Sequence, residues 1–223
     1  MPSTTWRGGS TPTSSSPGRG LATDLPDGVD PYVDPATGIL RNLVGATDRR
    51  SLDEAEGALA FARLVQLSDH EAPSTRDLAE LCGIHRHLFQ DVYDWAGTPR
   101  IVDIRKNTPG AEHFLPWSMI ERASAFAFDE LRADDHLRGM DRTRFVERLA
   151  HHFDAINYIH PFREGNGRAQ RVLWGRIAED AGRRLDWRSI DSTTNVAACR
   201  AASERQDFEP LLALFDDVVV DAT

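Results

Sequence analysis

The sequence contains almost no lysine. Lys106 is the single lysine among 223 residues, and the formal net charge is −9 at pH 7. A protein that binds nucleic acid in general needs a positively charged surface, because it must neutralise many phosphates. We therefore expect no direct nucleic-acid partner for this chain.

Cysteine and long apolar runs are also scarce. Cys82 and Cys199 lie far apart and belong to no Cys-x-x-Cys or Cys/His pattern, which argues against a disulfide framework or a structural zinc site. No apolar run approaches the length of a membrane span, and the first residues lack the apolar segment of a signal peptide. We expect a cytoplasmic protein without membrane contact.

The first residues differ in composition from the rest. Sixteen of the first 20 are Gly, Pro, Ser or Thr. Such a segment cannot bury enough apolar surface to offset the entropy that it loses on ordering. The prediction is a disordered tail at residues 1–24, followed by one domain at residues 25–223, a length that suits a single core.

Most of this domain has helical periodicity, so the predicted fold class is all-α. Apolar residues recur every three or four positions, the spacing that places them on one face of a helix. An extended arm at residues 32–45, with a turn at residues 34–38, precedes them. The first predicted helix begins at Thr47 or Asp48 and ends near Leu67, and the second begins at Ser74 or Thr75 and ends near Tyr93. Two more begin near Trp117 and near Asp141. The last two span residues 167–181 and 207–218.

One segment alternates like a strand. Within residues 101–106, apolar and polar side chains alternate from Val102 to Arg105. Residues 107–110 carry a turn signal, and residues 113–115 can return as a second strand. The prediction is a β-hairpin within residues 100–116.

The most informative stretch is residues 160–171, His-Pro-Phe-Arg-Glu-Gly-Asn-Gly-Arg-Ala-Gln-Arg. Because Pro161 disfavours helical backbone at the residue before it, His160 should end a helix and enter a loop. A histidine with the ordinary pKa of about 6.5 can accept a proton at cellular pH. An isolated histidine could simply cap the helix, but the neighbours of His160 favour a general base.

Those neighbours suit a phosphate ligand. Glu164 is an oxygen donor of the kind that binds Mg²⁺ together with nucleotide phosphates. The Gly-Asn-Gly of residues 165–167 permits close backbone approach to a phosphate where a helix starts. Arg168 and Arg171 lie on one face of that helix and can grip phosphate oxygens. Each feature alone could be a surface carboxylate, an ordinary turn or a solvated charge, but together they indicate an enzyme that acts on a nucleotide.

Taken together, residues 160–171 resemble the signature of the Fic family, His-x-Phe-x-(Asp/Glu)-Gly-Asn-Gly-Arg-x-x-Arg, with every fixed position present. The resemblance extends from about Tyr32 to Phe215 and includes the arm, the hairpin and the stretch Leu185-Asp-Trp187. It implies an all-α, Fic-type helical bundle with a small β-hairpin flap. It also implies a protein adenylyltransferase, which transfers AMP from ATP to a hydroxyl side chain of a target protein.

The resemblance assigns roles to the charged residues of the motif. His160 would deprotonate the target hydroxyl. Glu164 would hold Mg²⁺ bridging the α- and β-phosphates of ATP. Arg168 would contact the β-phosphate, and Arg171 would reach the γ-phosphate.

The resemblance also assigns roles to the turn and the flap. Gly165, Asn166 and Gly167 would orient the α-phosphate. The flap would clamp an extended target segment by strand addition, a general mode of peptide recognition. Its target-binding residues would be Ile101, Val102, Asp103, Ile104, Arg105, Lys106 and Phe114.

The resemblance further implies partners. Many family members are silenced by a helix with the pattern Ser/Thr-x-x-x-Glu-Gly/Asn, whose glutamate pairs with the last motif arginine, here Arg171. The nearest stretch in this chain is Leu52-Asp-Glu-Ala-Glu56-Gly57, which has leucine in the Ser/Thr position. We therefore expect a separate small antitoxin that carries this helix. The first candidate targets are one subunit of DNA gyrase and the matching subunit of topoisomerase IV.

Two other functions stay open at this point. A transferase of the same fold could use another nucleotide or a phosphocholine donor, because donor choice depends on pocket contacts that a sequence does not display. A non-catalytic adaptor could use the flap for binding alone, although binding alone needs no base at His160.

Overall fold

The computed structural model describes residues 30–67, 74–105 and 113–221, so the tail predicted for residues 1–24 lies outside the described residues. The described residues from Tyr32 to Asp221 belong to one compact unit. Every helix within these ranges falls short of the length and hydrophobicity that a membrane span requires. The predicted all-α class is confirmed, and the described helices are α1 (Arg49–Leu67), α2 (Leu78–Phe89), α3 (Ile120–Ala133), α4 (Arg142–Ile159), α5 (Asn166–Asp180), α6 (Ser192–Arg205) and α7 (Glu209–Val218).

Helices α4 and α5 occupy the centre of the bundle. Helix α4 packs against α3, α5, α6 and α7, while α5 also packs against α2, which in turn contacts α1. Phe145 of α4, Trp174 of α5 and Phe215 of α7 are completely buried in the core. Burying one such side chain contributes about 2 kcal/mol. The core therefore holds the C-terminal end of α4 and the N-terminal end of α5 next to each other, and the motif lies between these ends.

Two helices begin where the sequence predicts. The Asp48 carboxylate accepts the Ser51 N–H at 3.0 Å before α1, and the Asp141 carboxylate accepts the Arg144 N–H at 2.9 Å before α4. Each bond satisfies a first-turn N–H that has no partner within the helix.

The predicted limits of α2 are wrong at both ends. Asp77, rather than Ser74 or Thr75, caps the helix by accepting the Glu80 N–H, and the Thr75 hydroxyl donates to the Asp77 carboxylate. The helix ends at Phe89 rather than near Tyr93. Apolar burial continues beyond that end, because Val92 and Tyr93 are buried within the turns that follow. A pattern of buried residues therefore extends the prediction past the true end of the helix.

Helix α6 and a small sheet were not predicted. Strands β1 (Arg183–Leu185) and β2 (Val219–Asp221) pair antiparallel, and each is too short to display alternation. Helix α6 buries mostly small side chains, which leave little hydrophobic periodicity to detect; they are Ala198, Cys199, Ala201 and Ala202. In the N-terminal arm, Val33 and Leu40 form a β-bridge around the expected turn.

The flap differs from the predicted hairpin. In its described part, Arg105 and His113 form a single β-bridge, and the Phe114 N–H donates to the Ile104 carbonyl at 3.1 Å. Residues 101 and 102 bend, so the continuous strand predicted from Ile101 is wrong there. Lys106 and the tip of the flap lie outside the described residues.

Candidate active site

His160 lies at the C-terminal end of α4, as predicted. Its backbone is left-handed, with φ 48° and ψ 64°, a conformation that residues other than glycine rarely adopt. Its Nδ1 lies 3.1 Å from the Asn157 carbonyl oxygen. Because a carbonyl oxygen can only accept a hydrogen bond, Nδ1 carries the proton of the neutral imidazole, and Nε2 is the nitrogen that can take up another.

Arg100 holds this helix end and was not predicted as a site residue. Its side chain is buried, and it donates to the carbonyls of His160 at 2.9 Å and Ile159 at 3.2 Å. It also donates to both limbs of the flap, at the carbonyls of Val102 (2.8 Å) and Leu115 (2.5 Å). One guanidinium thus joins the flap to the end of α4 and replaces the strand pairing that the sequence predicts at the base of the flap.

Phe114 links the flap to the imidazole directly. Its ring stacks on His160, with ring centroids 3.7 Å apart and an angle of 11° between the planes. The flap therefore covers one face of the histidine. Whether Phe114 also contacts a target stays a prediction.

Asn166 holds the loop between α4 and α5. Its Oδ1 accepts the Phe162 N–H at 2.9 Å, and its Nδ2 donates to the Phe162 carbonyl at 2.8 Å. Asn166 is also buried, so its side chain fixes the loop. The predicted contact of residues 165–167 with a phosphate therefore depends mainly on backbone N–H groups.

Glycine is the only residue type that fits at position 165, at the start of α5. Its φ is +80°, and a Cβ placed there would lie 2.5 Å from Phe89 Cε2 and 3.1 Å from His85 Nε2. At Gly167, by contrast, a Cβ would meet no atom within 4 Å. The two glycines of the motif therefore have different structural requirements.

A buried histidine of α2 supports the loop from beneath. His85 Nδ1 accepts the Gly97 N–H at 2.8 Å, and Nε2 donates to the Glu164 carbonyl at 2.9 Å. Its ring stacks on Phe162 with 3.9 Å between centroids. Burial lowers the pKa of His85 to about 4. The imidazole is therefore neutral at cellular pH, and its two nitrogens have fixed donor and acceptor roles.

Glu164 and Arg168 lie together at the first turn of α5. Glu164 Oε1 accepts the Gly165 N–H at 2.9 Å and lies 3.9 Å from Arg168 Nη2. Arg168 also forms an ion pair with Glu56 of α1, and its guanidinium carbon lies 4.6 Å from the centroid of the Phe89 ring. A cavity of about 320 Å³ is lined by residues of the arm, α1 and the motif, including Glu56, Glu164 and Arg168.

Arg171 has different surroundings. Its guanidinium carbon lies 4.7 Å from the centroid of the Trp187 ring, and burial lowers its pKa. Among the described residues, no carboxylate lies within 4 Å of it. Burial with little compensating charge makes Arg171 a favourable contact for an anion.

The structure thus gathers the predicted motif residues into one loop and the first two turns of α5. Arg100, His85 and Glu56 support them, although none of the three was predicted as a site residue. Arg100 carries no signal in the sequence, because it is a lone arginine in a loop. His85 lies on the buried face of α2 among apolar residues, so its pattern indicates packing. Glu56 was noted only as the glutamate of the stretch nearest to the inhibitory pattern. Its place in the buried stripe of α1, with Leu52 and Ala60, is the signal that could have identified it as a support.

Comparison with known proteins identifies the family. The model of the Fic/DOC family matches residues 75–178. A Salmonella typhimurium protein named Probable protein adenylyltransferase Fic is 35% identical over 196 residues, which are 88% of this chain and 95% of that protein. The chain belongs to the Fic/DOC family.

Other similar proteins match this chain over different shares of their own length. Protein adenylyltransferase VbhT of Bartonella schoenbuchensis is 38% identical over 162 residues, and the match spans 73% of this chain but only 33% of VbhT. The crystal structure of BepC from Bartonella tribocorum, with bound AMPPNP, superposes with a TM-score of 0.81 at 27% identity and covers 86% of this chain and 97% of that one. The Fic domain of a Bartonella quintana effector, with bound ADP, gives a TM-score of 0.80 at 27% identity over 86% of this chain and 95% of that one. The Fic-type bundle is therefore confirmed.

The contrast between the two glycines generates a first prediction. Gly165→Ala should lower the free energy of unfolding by about 2–5 kcal/mol, because the new methyl group meets Phe89 and the left-handed backbone is unfavourable for alanine. Gly167→Ala is the matched control and should change stability by less than about 1 kcal/mol. Chemical denaturation measures both variants, and equal stabilities would contradict the proposed packing.

The buried imidazole of His85 generates a second prediction. Its pKa is about 4 in the folded chain against an ordinary value of 6.5. The contribution of this neutral group to stability should therefore be complete above pH 6.5 and decline as the pH falls toward 4, by roughly 3 kcal/mol. NMR of labelled histidine should show a neutral His85 ring, protonated on Nε2, down to about pH 5. A ring that titrates near pH 6.5 in the folded protein would rule this out.

Proposed function

We propose that this chain transfers AMP from ATP to a hydroxyl side chain of a target protein. The observation that supports the proposal is one continuous segment that carries His160, whose Nδ1 lies against a backbone carbonyl, followed by Glu164 and Arg168 at the N-terminal end of α5. The relatives named protein adenylyltransferase, and the similar Fic structures that hold AMPPNP or ADP, support ATP as the donor.

The chemistry follows from these positions. His160 Nε2 takes the proton of the target hydroxyl, and the hydroxyl oxygen attacks the α-phosphorus. A new oxygen–phosphorus bond forms, the bond between the α-phosphorus and the bridging oxygen breaks, and pyrophosphate leaves with the electron pair of that bond. The Asn157 carbonyl keeps Nδ1 protonated, so Nε2 faces the reaction as a base and becomes an imidazolium.

Three sets of groups would bind the polyphosphate. The first-turn N–H groups of α5 have no acceptors within the helix and point beyond its N-terminus. Arg168, in contact with Glu56 and Glu164, would bind the β-phosphate. Arg171, on the Trp187 ring, would bind the γ-phosphate. Positive groups that are already in place can stabilise the charge that develops on the phosphate oxygens without further rearrangement.

The residues present fit a magnesium ion held jointly with the nucleotide. Among the described residues, no group of three or more His, Cys, Asp or Glu side chains forms a metal-binding cluster. Glu164 supplies one carboxylate beside the cavity, and Mg²⁺ is commonly held by one or two carboxylates together with phosphate oxygens and water. The ion would neutralise phosphate charge, while Glu164 would hold it at the loop.

The flap would present an edge to the target. Ile101, Asp103 and Arg105 are exposed, and Val102 and Ile104 between them are half-buried. This alternation suits an extended segment that adds alongside the flap and leads its hydroxyl toward His160. DNA gyrase and topoisomerase IV remain the first candidate targets, and incubation of a bacterial lysate with labelled ATP followed by mass spectrometry would identify the substrate.

Other donors and a purely binding function are less well supported. Phosphocholine transfer would leave the two arginines and the α5 N-terminus with fewer phosphates to bind. An adaptor would need no left-handed His160 held by a buried arginine. Transfer from a different nucleoside triphosphate would use the same phosphate contacts, whereas the names of the relatives favour AMP.

The catalytic role of His160 generates a third prediction. Transfer of label from [α-³²P]ATP to a target should fall at least 100-fold in His160→Ala, because general base catalysis typically contributes 10²–10⁴-fold. His151→Ala is the matched control, since His151 is a partly exposed histidine of the same helix, and it should retain activity. Label from [γ-³²P]ATP should not be transferred by the wild type. Persistent α-label transfer in His160→Ala would contradict the base role.

The surroundings of Arg171 generate a fourth prediction. We propose that a separate small antitoxin supplies a glutamate to this arginine and excludes the γ-phosphate. A co-encoded protein with the Ser/Thr-x-x-x-Glu-Gly/Asn pattern should abolish labelling at a 1:1 ratio, whereas its Glu→Ala variant should bind but not inhibit. Equal labelling with and without the partner would contradict the pairing.

A further inference from the structure

Glu56 is a buried carboxylate on α1 that contacts the motif without belonging to it. Its side chain is 9% exposed, although α1 is otherwise a surface helix with many solvated charges. One oxygen, Oε1, accepts from Arg168 Nη2, and the other, Oε2, accepts from the hydroxyl of Tyr93. Both carboxylate oxygens are therefore engaged.

Tyr93 fixes the carboxylate through Oε2, the oxygen that Arg168 does not contact. It is buried in the turns after α2, where its ring stacks on Trp95 with 4.3 Å between centroids. Burial and the neighbouring Glu56 raise the pKa of Tyr93 far above its usual range. The hydroxyl therefore stays protonated and acts as the donor to Glu56.

Arg168 is consequently held on several sides. Glu56 bonds one edge of the guanidinium, the Phe89 ring lies against its face at 4.6 Å, and Glu164 lies 3.9 Å away. A cation in the first turn of a helix opposes the helix dipole, so a nearby anion stabilises it there. Within the described residues, Glu56 is the buried anion in this position.

We propose that Glu56, itself held by Tyr93, is the positioning residue that orients Arg168 toward the pyrophosphate part of the nucleotide. The proposal rests on the proposed function. A guanidinium has five N–H donors in a fixed plane, so a carboxylate on one edge leaves the others directed away from it. Because Arg168 is already held in place, it loses little side-chain entropy when the phosphates bind, and this favours binding.

Glu56 could instead compete with the phosphates for Arg168, and the direction in which its removal changes nucleotide affinity distinguishes the two roles. If Glu56 competed with the phosphates for Arg168, its removal would strengthen nucleotide binding. The position of Glu56 favours orientation, because Tyr93 holds the carboxylate in the wall of the cavity and the Phe89 ring fixes the plane of the guanidinium independently.

Glu56→Gln, which keeps the size of the side chain and removes its charge, tests the proposal. The Kd for inorganic pyrophosphate, measured by calorimetry, and the KM for ATP should each rise about 10-fold, equivalent to about 1.4 kcal/mol, with a smaller change in kcat. Tyr93→Phe should produce a smaller change in the same direction. Glu54→Gln, an exposed glutamate of the same helix, is the matched control and should leave both constants unchanged.

A double-mutant cycle tests whether Glu56 acts on pyrophosphate binding through Arg168. In an Arg168→Ala background, Glu56→Gln should cause no further loss of pyrophosphate affinity, whereas in an Arg171→Ala background the losses should add. Tighter binding by Glu56→Gln, or additivity with Arg168→Ala, would overturn the proposal. If Glu56→Gln does not fold, Tyr93→Phe decides by the same cycle.

Failure of the proposed function would look different. A wild-type protein that binds pyrophosphate but labels no protein would contradict the proposed AMP transfer. The double-mutant cycle on pyrophosphate binding would still decide the role of Glu56.

Discussion

The buried guanidinium of Arg100 is the contact on which the candidate site depends. The last carbonyls of a helix have no partner within it, and at the end of α4 this deficit coincides with a left-handed His160, a conformation that costs about 1–3 kcal/mol. Arg100 satisfies the carbonyls of Ile159 and His160 together. Burying a cation is costly unless it is paired and hydrogen-bonded. Arg100 has four hydrogen bonds to carbonyls, two of them in the flap, and lies 3.9 Å from the Asp103 carboxylate. The base, the helix end and the flap are therefore held by one side chain.

The loop beyond His160 is rigid for a similar reason. The buried polar groups beneath it have specific partners, since Asn166 closes on the Phe162 backbone and His85 spans from Gly97 to the Glu164 carbonyl. Such a network is costly when any member lacks its partner. The loop therefore keeps its shape through contacts made within the chain, and a substrate does not have to create it.

The sequence predicts the parts of this fold that depend on local chemistry. Residue spacing and caps locate α1, α4 and α5, and Pro161 locates the end of α4. The motif identifies the site because its residues are adjacent in the chain as well as in space. Predictions fail where distant segments supply the decisive bonds.

The flap is the clearest of these failures, because Arg100 replaces the strand pairing that alternation at residues 101–106 indicates. Helix α6 was not predicted because the side chains that it buries are small and leave little hydrophobic periodicity in the sequence. Glu56 meets Arg168 only after α1 and α5 have packed beside α2, and no spacing in the chain reports a contact between residues 112 positions apart.

The opposed ends of α4 and α5 have a consequence for how a reactant can lie in the loop. The Arg100 guanidinium offsets the partial negative charge at the C-terminus of α4, because it binds the carbonyls of Ile159 and His160. The partial positive charge at the N-terminus of α5 is therefore the directional feature of the loop. A reactant whose negative phosphoryl oxygens point toward α5 gains about 0.3–1 kcal/mol over one bound in the reverse orientation.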